Sequence, residues 1–422
     1  MRYTLKVEGV RTLLLPGRLA AFRGRERAPV VVAFAAFVLV GVNAGAGGIL
    51  LPAQISDYRV SKAAIGSMFV TGSVGFVLAS LMAGALIHRF GIAVTLAMGV
   101  GSTGVAGCYV ASRPPFAAFV LVAIATGFGG GLVESALNAF LAALPGATTL
   151  LNRLHAFFGV GALLGPLLAT WMLGFASWRA VWLVLAVAEA PLVIAVLLTY
   201  PRRVPAATAP PSAEGPAAQP GRGLLSTALR ERTVLLGAAL LAVYVGLEVS
   251  MGNWGFSYLV QARGQHRLLA GYTVSGYWLG LTLGRFLISP IAARIGASAA
   301  NMTFGCLAGV SAVAALTWLL PAGASIPGFV LLGFFLGPIF PTTMAMVPQM
   351  TPARLVPTAI GVMNAGSVVG GSALPWLAGV LGQGAGAWTL LPFSLGLAVV
   401  TMGIWWLIVT PRRLGSSYRA AA

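Results

Sequence analysis

Gly84-Ala85-Leu86-Ile87-His88-Arg89-Phe90-Gly91 closes one long apolar run and opens onto the next, and its reading decides the fold. A shift of 205 positions lays Arg89 on Arg294 and Gly91 on Gly296, in a second short basic break between apolar runs. The same ungapped shift lays Gly41 on Gly246, Gly66 on Gly271, Gly75 on Gly280, Gly161 on Gly366 and Gly165 on Gly370. With 55 glycines in the chain any one coincidence is weak. A constant offset across three apolar runs and the break between two of them marks an internal duplication. Small residues at these positions also let helix backbones approach closely inside lipid, where hydrophobic burial cannot drive association.

The rest of the chain has the composition such a duplication needs. Its 422 residues are 58% hydrophobic and 8% charged, with a mean hydropathy of +0.92, whereas an ordinary soluble domain carries about 25% charged residues. A water-soluble fold is excluded on that ground. A helix crosses the hydrocarbon core with about 20 residues, and the apolar runs predict twelve crossings. These are 29–53, 62–87, 92–111, 115–144, 150–175, 179–200, 233–261, 268–293, 298–320, 325–349, 355–383 and 386–409. The fold class expected is an all-α membrane protein of twelve transmembrane helices in two pseudo-symmetric six-helix bundles.

Net charge is +18 and the isoelectric point near 11.4, values that fit nucleic-acid binding only if the basic residues form polar patches. Nearly all of them sit between apolar runs, so no nucleic-acid partner is expected. With the N-terminus inside, 19 Lys and Arg fall in cytoplasmic segments and six, Arg59, Lys62, Arg113, Arg179, Arg263 and Arg267, in outward loops. Basic residues in short loops resist translocation, so both termini are expected on the cytoplasmic side of the inner (plasma) membrane. The organisation expected is a basic arm over 1–28, a six-helix bundle over 29–200, a linker over 201–232, a second bundle over 233–409 and a tail over 410–422. Pro201, Pro205, Pro210, Pro211, Pro216 and Pro220 make the linker an extended connection. The apolar stretch Leu13–Leu15 is too short for a signal-peptide core of about 7–15 residues, and the arm is read as retained. Cys108 and Cys306 each lie inside an apolar run and support neither a disulfide nor a metal site.

Residues 84–91 resemble the Gly-x-x-x-Asp-Arg-x-Gly loop signature of the major facilitator superfamily, with His88 where the family usually has Asp. In the family that Asp helps latch the halves, so the resemblance implies a gating loop at Gly84, His88, Arg89 and Gly91 without its charge-based latch. Further matches resemble the fucose permease-like sugar/proton symporters: Ile49-Leu50-Leu51-Pro52, Glu134-Ser135-Ala136-Leu137-Asn138, Tyr244-Val245-Gly246, Gly284-Arg285-Phe286 and Phe340-Pro341-Thr342. That group carries an Asp, implicated in proton coupling, just before the first of these; here the position is Gly48.

Three of the eight acidic residues fall within spans: Glu134, Glu189 and Glu248. Ionisable groups at membrane depth are costly and mark functional sites by default, and burial penalises the charged carboxylate, which is the chemistry proton exchange requires. Glu134 and Glu248 are the expected proton-coupling residues; for each, a protonated helix–helix hydrogen bond is the bland alternative. Glu189 precedes Pro191 in a span that is peripheral in this superfamily, so a local hydrogen bond or a lipid-adjacent acid is as good a reading as function. The offset pairs Glu248 with Asn43, and the two are expected to face each other across the solute path. Arg285 needs a carboxylate or carbonyl partner and is open between an ion pair and a coupling role. Asn138 lies one turn from Glu134 on the same helix face, and His155 stands where the fucose group has a site Gln. With Asn43, Trp254, Tyr277 and Asn364 they form the expected solute site, since aromatic rings and amides suit the apolar faces and hydroxyl edges of a sugar. For each aromatic, interfacial anchoring or core packing is the common alternative.

No constellation for enzyme catalysis is readable, and no cofactor or metal is expected beyond protons as the coupling ion. Partners are a small-molecule solute and membrane lipid, with a monomer expected. Three functions stay open: proton symport of a small polar solute such as a sugar, proton-coupled export of drugs or amphipathic compounds, and a receptor or scaffold that does not transport.

Overall fold

A computed structural model describes residues 24–200 and 224–419. The start of the basic arm, most of the proline-rich linker and the last tail residues lie outside the described residues. The described chain is helical throughout, with no strand. Lipid offers no hydrogen bonds to the main chain, so each crossing must satisfy its own backbone groups within a helix.

The N-terminal half comprises helix 1 (Gly24–Tyr58), helix 2 (Lys62–Phe90), helix 3 (Ile92–Ala111), helix 4 (Phe116–Ala142), helix 5 (Ala147–Met172) and helix 6 (Trp178–Thr199). After a short helical turn at Leu224–Ala228 come helix 7 (Arg232–Gln261), helix 8 (Arg267–Arg294) and helix 9 (Ala299–Leu319). Helix 10 is broken into Ser325–Leu336 and Ile339–Met350, and helix 11 (Val356–Gly384) and helix 12 (Leu390–Arg419) complete the second half. The sequence predicts one unbroken helix over 325–349. The break falls at Gly337-Pro338, where proline removes a main-chain donor and glycine adds flexibility.

Among the described residues, eleven crossings are long and apolar enough to span a membrane; helix 8, which carries Arg267, Arg285 and Arg294, is the more polar twelfth. Apolar side chains such as Leu81 at 77% and Leu198 at 78% exposure face outward from the bundle, as a lipid-facing surface requires. Cys108 is exposed and Cys306 buried in the core, and both are free thiols.

The 205-residue repeat is visible in the packing. Helix 1 packs on helix 5 as helix 7 packs on helix 11, helix 2 on helix 4 as helix 8 on helix 10, and helix 3 on helix 6 as helix 9 on helix 12. Gly127 lies against the Gly72 backbone and Gly131 against Phe76; Gly333 lies against Tyr277 and Gly337 against Leu281. Any Cβ at these glycines would overlap main-chain atoms, so small residues set how closely the paired helices approach. Gly91 and Gly296 both take positive φ, 81° and 68°, and end helices 2 and 8 at equivalent points, a conformation that costs glycine nothing.

The two halves close on each other toward the face that carries Asp57 and Arg113. There Gly48 of helix 1 meets Gly252 and Asn253 of helix 7, Gly66 of helix 2 meets Trp376 of helix 11, and Thr170 of helix 5 meets Gly271 of helix 8. Among the described residues, Lys62 makes hydrogen bonds between the halves. Its Nζ donates to Gln261 Oε1 at 2.9 Å and to the Gly382 carbonyl at 3.2 Å, and its main-chain N–H to Gln383 Oε1 at 3.1 Å. On the same face Arg113 pairs with Asp57 at 2.9 Å, and that carboxylate holds the guanidinium above its ordinary range. The pair is exposed and adds little stability. At the opposite end, His88 and Arg89 are exposed and Arg89 stacks on its neighbour Phe90 at 5.2 Å.

Candidate functional site

Helix 7 places Glu248 midway along its length, and three aromatic or cationic side chains converge on it. Tyr244, one turn earlier, donates its phenolic O–H to Glu248 Oε2 at 2.5 Å. Its oxygen also lies 3.0 Å from the Leu336 carbonyl, at the end of the first segment of helix 10. Arg285 Nη2 reaches Glu248 Oε1 at 3.4 Å from helix 8, with both side chains largely shielded from solvent. Tyr277, also on helix 8, donates to the Glu248 main-chain carbonyl at 3.0 Å. Arg285 Nε is buried with no hydrogen-bond partner among the described residues, a costly omission for a charged donor.

The other half reaches this cluster through helix 5. Gly159 lies against Thr282 of helix 8, and one turn along each antiparallel helix brings His155 into the field of Arg285. His155 is exposed and makes an edge-to-face contact with Phe37 at 5.5 Å. Glu134 and Asn138 lie on helix 4, both half-buried, and neither makes a side-chain hydrogen bond or ion pair with a described residue. Asn364 on helix 11 is exposed, and its main-chain carbonyl accepts from Ser367 at 2.8 Å.

Three expected positions are placed differently. Asn43 does not face Glu248: its Nδ2 donates to Glu189 Oε1 of helix 6 at 3.4 Å and to the Leu39 carbonyl at 3.1 Å, inside the N-terminal half. Glu189 accordingly is buried against helix 1 rather than turned to lipid. Trp254 is buried at the seam, with Nε1 donating to the Pro375 carbonyl at 2.8 Å and its ring edge-to-face with Phe69 at 6.4 Å. Tyr277 is fully buried and spends its hydroxyl on main chain. The aromatic handles were satisfied by nearby carbonyls, as buried indole and phenol groups are.

Two contributors escape the sequence reading. Tyr244 sits four residues before Glu248, the spacing that puts side chains one above the other on a helix, so the signal was present. Lys62 could not be paired from sequence, because its partners come from the far half. A pocket of about 450 Å³ lies between the halves, lined by Met68, Phe69, Phe76, Trp182, Val245 and Ser367 among others.

An internally repeated twelve-helix membrane fold, with an acid–arginine pair at mid-depth where its halves meet, defines a class of multi-pass membrane transporters. The chain belongs to the Major Facilitator Superfamily, whose family model matches residues 32–326 and 249–421. It is 26% identical over 393 residues to "Bypass of stop codon protein 6" of Saccharomyces cerevisiae, covering 85% of this chain and 77% of that protein. It is 21% identical over 383 residues to the glucose/mannose transporter GlcP of Bacillus subtilis, covering 90% of this chain and 91% of that protein. The crystal structure of the nucleoside transporter NupG superposes with a TM-score of 0.74 at 13% identity, over 92% of this chain and 99% of that one. Its fold is therefore shared.

Proposed function

We propose that this transporter moves a small polar solute, a sugar or sugar-like compound, by proton symport through alternating access. The observation that carries the reading is the Glu248–Tyr244–Arg285 cluster. A phenol has one hydrogen and here two acceptors. With Glu248 ionised, that hydrogen goes to the carboxylate, which also pairs with Arg285. With Glu248 protonated, its own O–H donates to the phenolic oxygen and Tyr244 turns its hydrogen to the Leu336 carbonyl beside the helix 10 break. One proton thus weakens the ion pair on Arg285 and tightens a bond to the end of the first segment of helix 10. Arg285 and His155 across the interface are then the groups that meet solute hydroxyls, together with Asn138 and Asn364, and Glu134 serves as a second proton site.

GlcP carries glucose or mannose and NupG a nucleoside by name, and both kinds of solute present a polyhydroxylated ring. The distribution of Lys and Arg supports cytoplasmic termini in a plasma membrane, with the Arg113 face outward, and the protein acting as a monomer. On that orientation the described state is closed outward.

A second reading, proton-coupled export of amphipathic compounds, draws on the aromatic and apolar lining of the pocket between the halves and on Gly48 in place of an acid. Proteoliposomes under an imposed pH gradient, screened with labelled hexoses and nucleosides, discriminate the two. We expect gradient-driven uptake by the wild type and its loss in Glu134→Gln and Glu248→Gln; uptake that ignores the gradient, with both variants unchanged, sinks the symport reading.

A further inference from the structure

Helix 6 carries a buried acid that the cluster at Glu248 does not use. Glu189 is 7% exposed and borders a chamber of about 140 Å³ between helices 1, 3, 4 and 6. Its neighbours are Asn43 from helix 1, Thr103 and Gly104 from helix 3, Thr126 from helix 4 and Trp182 from its own helix. None of these is ionisable, and the chamber lining holds no Lys, Arg, His or second acid. An ionised carboxylate there would have no cation to offset its desolvation.

The hydrogens around it match a carboxylic acid. Thr103 lines the same chamber, and its hydroxyl lies 2.7 Å from the Val100 carbonyl, an acceptor for its only hydrogen that leaves its oxygen available to accept. Asn43 gives one Nδ2 hydrogen to the Leu39 carbonyl at 3.1 Å, which fixes the amide orientation, and the other to Glu189 Oε1 at 3.4 Å. One acceptor and one donor are what a COOH group, with one O–H and one C=O, requires. A hard metal cation instead takes about six or more oxygen ligands, and this site turns an N–H toward the acid. Gly107, Thr126 and Trp182 line both the chamber and the larger pocket between the halves, so these residues alone separate the two spaces there.

We propose that Glu189 is a proton-binding site of the N-terminal half, filled and emptied from the pocket between the halves past Trp182, and sensed by helix 1 through Asn43. The site stands on its own geometry, independent of solute identity and of coupling at Glu248.

Infrared difference spectroscopy of the reconstituted full chain tests this, with exchange into D2O and a rise from about pH 5 to about pH 10. The expected result is a carboxylic acid C=O band that shifts in D2O, fades as pH rises, is lost in Glu189→Gln and persists in Glu134→Gln and Glu248→Gln. Should Glu189→Gln fail to fold, two further variants decide: Asn43→Ala is expected to shift the band frequency and Trp182→Ala to speed its exchange. A set of carboxylic acid bands that Glu189→Gln leaves wholly unchanged, or a Glu189-dependent band that neither exchanges nor titrates, overturns the proposal. So does a band unmoved by Asn43→Ala whose exchange Trp182→Ala leaves unchanged. Because the readout is spectroscopic, solute transport can prove uncoupled from protons while this site stands, and the reverse.

Discussion

Tyr244 has one hydrogen and two acceptors, Glu248 Oε2 at 2.5 Å and the Leu336 carbonyl at 3.0 Å, and removing that hydrogen separates coupling from binding. In Tyr244→Phe, accumulation driven by a pH gradient is expected to fall about tenfold or more, within the range for loss of a positioned proton-transfer group. Exchange of labelled for unlabelled solute without a gradient is expected to persist, because Arg285 and His155 remain. Equal loss of both activities in a counterflow assay would show that Tyr244 binds solute instead. The ionisable members of this cluster were legible in the sequence because charge inside an apolar run stands out. Their partners were less so. The offset of 205 identifies Asn43 and Glu248 as equivalent positions, but equivalence places residues at matching points of two halves and says nothing of contact. Helix 1 is apolar nearly all round, so its sequence fixes no face, and only packing shows Asn43 turned inward to Glu189.

Helix pairs 2–4 and 8–10 carry the duplication most plainly, since each brings a glycine of one helix onto the backbone of the other. A methyl group at Gly127 would meet the Gly72 backbone and one at Gly333 the Tyr277 backbone, so neither can be accommodated by a rotamer change. Gly127→Ala and Gly333→Ala are each expected to cost about 1–3 kcal/mol by overpacking. The sites lie in different halves, so the losses should add in the double variant; thermal unfolding of the purified protein followed by size-exclusion recovery measures this. A double variant no less stable than either single one would mean that the halves do not pack independently. Span limits were readable because loops between crossings are short and marked by arginine, glycine or proline. The helix 10 break is marked only by Gly337-Pro338, which leaves the run apolar and adds no charge, so nothing there sets it apart from the prolines that other crossings carry within unbroken helices.

At the scale of the whole molecule the halves are held together toward the Arg113 face, and Lys62 supplies the hydrogen bonds across that seam. Lys62→Ala is expected to shift the population toward opening on this face. Spin labels at Ser112→Cys and Ala322→Cys, on a background lacking Cys108 and Cys306, should report a longer distance; an unchanged distribution would show that backbone packing alone keeps the seam shut. The two-half architecture was legible before any coordinates, since hydropathy and an internal offset are properties of the chain. Which end is closed was not, because sequence encodes both states of an alternating-access cycle at once. The central claim is that a proton crosses with the solute by way of Glu248. It is tested most directly by trapping a pH-sensitive dye in proteoliposomes without an imposed gradient and adding an accepted sugar outside. The lumen is expected to acidify with the wild type and to stay unchanged with Glu248→Gln while labelled sugar still exchanges. Alkalinisation of the lumen, or acidification that survives Glu248→Gln, would contradict it.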